Sequence, residues 1–140
     1  MNDGPITAAN APRPVGAYPH ARRHGGLVFL SGLGPRPADG GPVAGVVLDA
    51  DGEVTGYDFE AQCHAVFANL RTVLDSAGCE WQDLVDLTVF LTDIRRDFKT
   101  FNRLYTEYFG AGGPARTTVE INRLPTPIAI ELKGIAAARD

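Results

Sequence analysis

Two charged side chains in this 140-residue sequence stand where packing does not ask for them. Arg116 opens a strand-like segment directly after Gly110-Ala111-Gly112-Gly113-Pro114 and shares a face with Thr118. Its planar fork can hold a carboxylate through two parallel hydrogen bonds, which fixes both the position and the orientation of a small acid. A surface or subunit-interface ion pair is the plainer alternative. Glu131 lies inside Ile128-Ala129-Ile130-Glu131-Leu132, a run that otherwise reads as core or interface. If partly desolvated, its pKa rises and suits a general acid/base that handles water near neutral pH. The alternative is an edge-strand charge facing solvent, as at Lys133.

Other candidates lie near the amino terminus. Tyr18, in Gly16-Ala17-Tyr18-Pro19-His20, offers a ring wall and a phenol donor, or simply packs. His20 and Arg36 are cationic candidates for the far end of a diacid, or solvated loop residues. Cys63 falls on an apolar helix face and reads as inert core.

Several reaction classes drop out. No Gly-x-x-x-x-Gly-Lys-Ser/Thr loop is present, and Gly32-Leu33-Gly34 meets Pro37 where a dinucleotide fingerprint needs its third glycine. His20 and His24 are four residues apart but lack the glutamate of a His-Glu-x-x-His helix, and no Gly-x-Ser-x-Gly elbow presents a serine, so neither a metal nor a serine nucleophile is expected. The net charge of −4 lacks the basic footprint of a nucleic-acid binder. Cys63 and Cys79 are too few and too isolated for a disulfide framework. Residues 1–5 lack the basic start and apolar stretch of a signal peptide, and no apolar segment approaches a membrane span. A cytoplasmic protein bound neither to membrane nor to nucleic acid is the expectation.

These candidates need a scaffold, and the length and 44% hydrophobic content predict one self-sufficient domain over residues 1–140. Residues 1–15, rich in Pro, Gly, Asn and Ala, read as an irregular arm. Gly26 to Ser31 reads as a buried strand, and residues 36–56 as a long loop with one short strand and a turn at Asp49-Asp51-Gly52. From Asp58 to Ala77, apolar residues recur at three- and four-residue steps, which predicts a helix capped by Asp58 and closed by Gly78. Leu84 to Thr92 reads as a covered strand, with Trp81 packing the corner before it. Asp97 reads as the cap of a second helix carrying Phe98, Phe101, Leu104, Tyr105 and Tyr108. Arg116 to Ile121 and Ile128 to Ala136 read as the last strands, flanking Leu124-Pro125-Thr126-Pro127. The order β, β, weak β, α, β, α, β, β predicts an α+β domain with one mixed sheet and both helices on a single face. The other face then calls for a partner subunit, and so for a homo-oligomer.

The sequence resembles the Rid (YjgF) family of enamine/imine deaminases. The match is carried by Gly16-Ala17-Tyr18, Leu30-Ser31-Gly32, Glu60-Ala61-Gln62, Thr88 to Asp93, Asn102 to Phe109, Pro114 to Glu120, and Leu124-Pro125 followed by Ile130-Glu131. The resemblance implies a chorismate-mutase-like fold and a homotrimer with ligand clefts between subunits. It also implies that Arg116 grips the substrate carboxylate and Glu131 positions the attacking water. Tyr18, backbone groups near Ser31 and Gly32, and Thr118 then complete the pocket. Many members have cysteine where this chain has Thr118, so a thiol role proposed for relatives cannot operate here.

Gly16 to His20, Ser31 to Arg36 and Leu124 to Lys133 look more like the 2-aminomuconate deaminase branch than the housekeeping members. His20 and Arg36 near the pocket would suit a second carboxylate. The implied activity is a cofactor-free hydrolysis of 2-aminomuconate, releasing ammonia in aromatic-compound breakdown. The rivals are a general 2-imino acid deaminase that clears reactive by-products, and a non-catalytic carboxylate-binding trimer. Ribonuclease activity, attached to relatives, conflicts with the acidic balance.

Overall fold

The structure, a computed structural model, describes residues 2–140. In chain order the elements are β1 (Gly4–Ile6), β2 (Ala21–His24), β3 (Leu27–Leu30), β4 (Val46–Leu48), β5 (Val54–Tyr57), α1 (Phe59–Ser76), a 3₁₀ turn (Trp81–Asp83), β6 (Leu84–Leu91), α2 (Ile94–Phe109), β7 (Ala115–Glu120) and β8 (Ile130–Ala137).

The regular apolar spacing of α1 buries Cys63, Val66, Phe67, Leu70, Val73 and Leu74. Asp58 caps it by accepting from the Ala61 N–H at 3.1 Å, and Gly78 closes it with a left-handed φ of +73°. In α2 the cap is Asp93, which accepts from the Arg96 N–H at 3.0 Å, and not Asp97. Asp97 sits in the first turn, buried, with both carboxylate oxygens on the Arg96 guanidinium at 2.8 and 2.7 Å. Both aspartates suit the positive end of a helix, and only the register of the preceding strand tells them apart.

Six strands form a mixed sheet in the order β1-β2-β3-β8-β6-β7, antiparallel throughout except for β6 and β7. That parallel pair is joined through α2, as a crossover helix requires. Leu87, Val89 and Leu91 of β6, with Ile130 and Leu132 of β8 and Val28 and Leu30 of β3, are buried against the helices. Trp81 closes the corner, edge-on to Phe109 at 5.2 Å, while Phe67 stacks on Tyr108 at 4.3 Å. The opposite face carries Phe29, Phe90, Val119 and Ile135, none of them fully buried.

The expected α+β architecture is therefore present, with local departures. The arm is not wholly irregular, because Gly4–Ile6 adds an edge strand to β2. Residues 36–56 enclose β4, which pairs with β5 as a separate two-stranded ribbon around a turn where Asp49 accepts from the Asp51 and Glu53 N–H groups. The last strand begins at Ile130 rather than Ile128, since the Ala129 N–H is taken by the buried Gln62 Oε1 at 2.7 Å instead of by a strand neighbour. None of the described helices is long and apolar enough to cross a membrane.

Candidate functional site

β8 carries Glu131 to the open face of the sheet, opposite Phe90. Next to it the chain turns through Ser31-Gly32-Leu33, strapped on by reciprocal 2.8 Å bonds between Leu33 and Leu132. Gly32 lies directly under the Glu131 carboxyl group. Ser31 donates its hydroxyl to the Pro19 carbonyl at 2.7 Å, so it ties the 18–20 segment to the turn rather than offering a group to a ligand. From α1, Asn69 donates to the Gly34 and Arg36 carbonyls, both at 2.8 Å, and fixes the following loop. The result is a small hollow whose walls include Tyr18, Gly32, Arg36, Thr126 and Glu131. Burial pushes the Glu131 carboxyl above the usual carboxylate range. Such a group can accept a proton from a water molecule held against it.

A second small hollow adjoins the first and shares Tyr18, Gly32, Gly34 and Arg36 with it. Arg36 donates one Nη2 bond to the Arg13 carbonyl at 2.7 Å. His20 also lines this space, but the expectation that it offers positive charge to a diacid needs correcting. Its Nδ1 accepts from the Ala8 N–H at 3.1 Å, so that nitrogen carries no proton, and Nε2 meets the Pro12 carbonyl at 2.8 Å as the donor. The buried imidazole is a neutral strut for the arm.

Arg116 lies elsewhere. It pairs in register with Leu87, and Thr118 with Val89, so both point to the helix-covered face. There the guanidinium is 4.7 Å from the ring centre of Tyr105 and 5.2 Å from that of Phe101, and Nη2 donates to Asn102 Oδ1 at 2.7 Å. The Thr118 hydroxyl is buried beside this edge with no hydrogen-bond partner. Glu131, opposite Phe90 and hence level with Val119, occupies the other face. Two strand spacings and three residues separate it from Arg116, roughly 14 Å along the sheet.

A single chain thus presents two separate clusters of the candidate residues. Tyr18, Ser31, Gly32, Arg36 and Glu131 gather in one, with His20 as its support; Arg116 and Thr118 form the other. Asn102, which aims the guanidinium, Asn69 and Gln62 were not singled out, because an amide on a helix reads as ordinary surface. The only hints were the Asn102 to Phe109 and Glu60-Ala61-Gln62 motifs. Among the described residues no group of three or more His, Cys, Asp or Glu side chains is placed to hold a metal.

Comparison with known proteins shows the family of the chain. A RutC family protein of Pyrococcus horikoshii is 35% identical over 131 residues, covering 94% of each chain. Reactive Intermediate Deaminase A, chloroplastic, of Arabidopsis thaliana is 33% identical over 131 residues, 94% of this chain and 64% of that one. The solved structure of E. coli TdcF with bound serine superposes with a TM-score of 0.78 at 28% identity, covering 96% of this chain and 98% of that one. The family model described as Endoribonuclease L-PSP matches residues 8–138, and the chain belongs to that family, the Rid (YjgF) family its motifs resemble.

Proposed function

We propose that the protein is a hydrolytic deaminase of 2-imino and 2-enamino carboxylic acids, working at sites formed between neighbouring copies of a homotrimer. The observation that carries this reading is that Arg116 and Glu131 lie on opposite faces of one sheet, so that a cleft using both takes them from two copies. Bringing the Arg116 edge of one copy to the open face of the next completes a cleft and covers Phe29, Phe90 and Ile135. The Arabidopsis relative's name and the amino acid bound to the E. coli protein support a small nitrogen-bearing carboxylate as ligand.

In this mechanism Arg116, aimed by Asn102 and backed by Tyr105, holds the substrate carboxylate. Water attacks the carbon bearing nitrogen and gives a proton to Glu131. The proton held by Glu131 and one from solvent go to nitrogen in turn, the hydroxyl proton of the carbinolamine is released to solvent as the carbonyl forms, the C–N bond breaks, and ammonia departs from a 2-oxo acid. Orientation supplies most of the acceleration, because an imine is already electrophilic.

The finer reading is a six-carbon unsaturated dicarboxylate, 2-aminomuconate, as substrate. It rests on Arg36, which joins Glu131 in the wall of one hollow and supplies a cation for a second carboxylate. The acidic net charge argues against RNA in that role. The test is ammonia release from freshly generated 2-aminomuconate and from a short 2-imino acid. Higher kcat/KM on the former supports the finer reading, and equal values leave a general imine deaminase. Ammonia from neither would mean a binding protein.

A further inference from the structure

Resting on the deaminase reading in its dicarboxylate form, we propose that Asn69 is a positioning residue of the site. By gripping the carbonyls of Gly34 and Arg36 it aims the Arg36 guanidinium at the second anionic group of a substrate.

Arg36 stands in Gly34-Pro35-Arg36-Pro37. The two prolines fix their own φ angles and restrict the residues before them, so the segment is stiff. Prolines also lack an N–H, which makes carbonyls the segment's chief means of attachment. Those of Gly34 and Arg36 both accept from one amide, Asn69 Nδ2, at 2.8 Å each. Only the NH₂ end of an amide can face two carbonyls, and both its hydrogens are used. On its other side Gly34 lies against Ile128, so closely that a Cβ would come within 2.6 Å of Cδ1. Arg36 is thus mounted from α1 on a short, rigid bracket.

The guanidinium on this bracket lines the same hollow as Glu131. One Nη2 bond goes to the Arg13 carbonyl, which leaves other donors of the fork for a ligand. Among the described residues the arginines that reach a carboxylate are Arg23, Arg96, Arg103 and Arg139, and Arg36 is not one of them. A guanidinium grips a carboxylate in a planar geometry that tolerates little displacement, so its aim depends on where its backbone is held. The turn beneath Glu131 is fastened separately, by the reciprocal bonds between Leu33 and Leu132. Loosening the bracket therefore costs recognition of a second anion and spares what Glu131 does to a short substrate.

The test uses the full-length protein and two stable probes, muconate, a six-carbon unsaturated dicarboxylate without the amino group, and pyruvate, a short 2-oxo acid. Calorimetric Kd values are measured for the wild type, Asn69→Asp, Arg36→Met and the double variant, beside ammonia release from the matching imines. Asn69→Asp keeps the side-chain shape but sets acceptors against the two carbonyls. It should weaken muconate about tenfold, the scale of a hydrogen bond to a charged group, and pyruvate less than about twofold. In the Arg36→Met background the same substitution should change muconate by less than about twofold, because the group it aims is gone. Parallel losses on both probes, or a tenfold loss that persists without Arg36, would make Asn69 a structural residue only and overturn the proposal. If Asn69→Asp loses its thermal transition, Asn69→Ala, which deletes both bonds without adding charge, carries the comparison. A muconate loss in Arg36→Met that the Asn69 variants do not share overturns the proposal alone. An Arg36→Met protein that binds muconate like wild type overturns it together with the dicarboxylate reading. The selective pattern without ammonia from any imine would retire the deaminase reading and leave Asn69 in its role.

Discussion

The Glu131 carboxylate rests against the bare α-carbon of Gly32, so closely that a Cβ there would lie 2.8 Å from its carboxyl carbon and 2.9 and 3.1 Å from its oxygens. The glycine is required by this contact and not by backbone conformation, since its φ is not positive. Gly32→Ala should therefore fold and yet push the carboxylate off its station. A displacement of about 1 Å costs on the order of 100-fold in kcat when a reaction depends on orientation. Steady-state ammonia release decides it, and a variant within threefold of wild type would mean that Glu131 does not position the water.

Glu131 also sets a pH dependence. Burial raises its folded-state pKa above the unfolded value of 4.5, so the native state holds this proton more tightly than the unfolded chain. Stability attached to the group is present below pH 4.5 and is lost as pH rises through the folded value. Glu131→Gln should then raise Tm at pH 7.5, with the gain shrinking as pH falls toward 4.5. Activity runs the other way, because only the ionised form can take a proton from water. The acid limb of kcat/KM should fall above the ordinary carboxylate range and vanish in Glu131→Gln, whose residual rate should be flat across that interval. An acid limb that survives this substitution unchanged belongs to another group.

His20 is a structural test of the arm. His20→Ala strands the Ala8 N–H and the Pro12 carbonyl in a buried setting. Unsatisfied buried groups cost about 1–3 kcal/mol, so Tm should drop by roughly 3–10 °C. Hydrogen exchange at Ala8 should quicken more than at Leu132 in the centre of the sheet. An unchanged Tm would show that the ring contributes nothing as a strut.

Much of this molecule is legible in its residues. The eight apolar positions from Phe59 to Ala77 and the caps at Asp58 and Gly78 outline α1 almost to the residue, because helix periodicity and capping are local physics. β2 hides its limits because Ala21-Arg22-Arg23-His24 has no apolar alternation; Arg23 turns inward only because Arg139 and Asp140, more than 100 residues away, receive its guanidinium. Arg116 and Glu131 stand out as charges that packing does not want. That they face opposite sides depends on the pairing of Arg116 with Leu87 and of Glu131 with Phe90, which is non-local information. His20 misleads for a related reason, since a histidine in a turn looks solvated until the arm folds over it.

Arg116 and Glu131 occupy opposite faces of one sheet, so under the proposed inter-subunit cleft inactive variants of each should complement one another. Arg116→Ala leaves a chain with an intact Glu131 hollow, and Glu131→Gln leaves one with an intact Arg116 edge. Neither homo-oligomer should release ammonia above about 1% of the wild-type rate, since each lacks a group the reaction uses in every cleft. Unfolding and refolding an equal mixture scrambles the subunits. If every cleft takes its arginine from one copy and its glutamate from the next, about a quarter of the interfaces receive both wild-type groups. Activity should recover to about a quarter of wild type, with KM near normal because each rescued cleft is complete. Mixing without subunit exchange should give nothing, which separates complementation from contamination. Recovery absent after confirmed exchange would mean that the arginine and the glutamate do not serve one cleft.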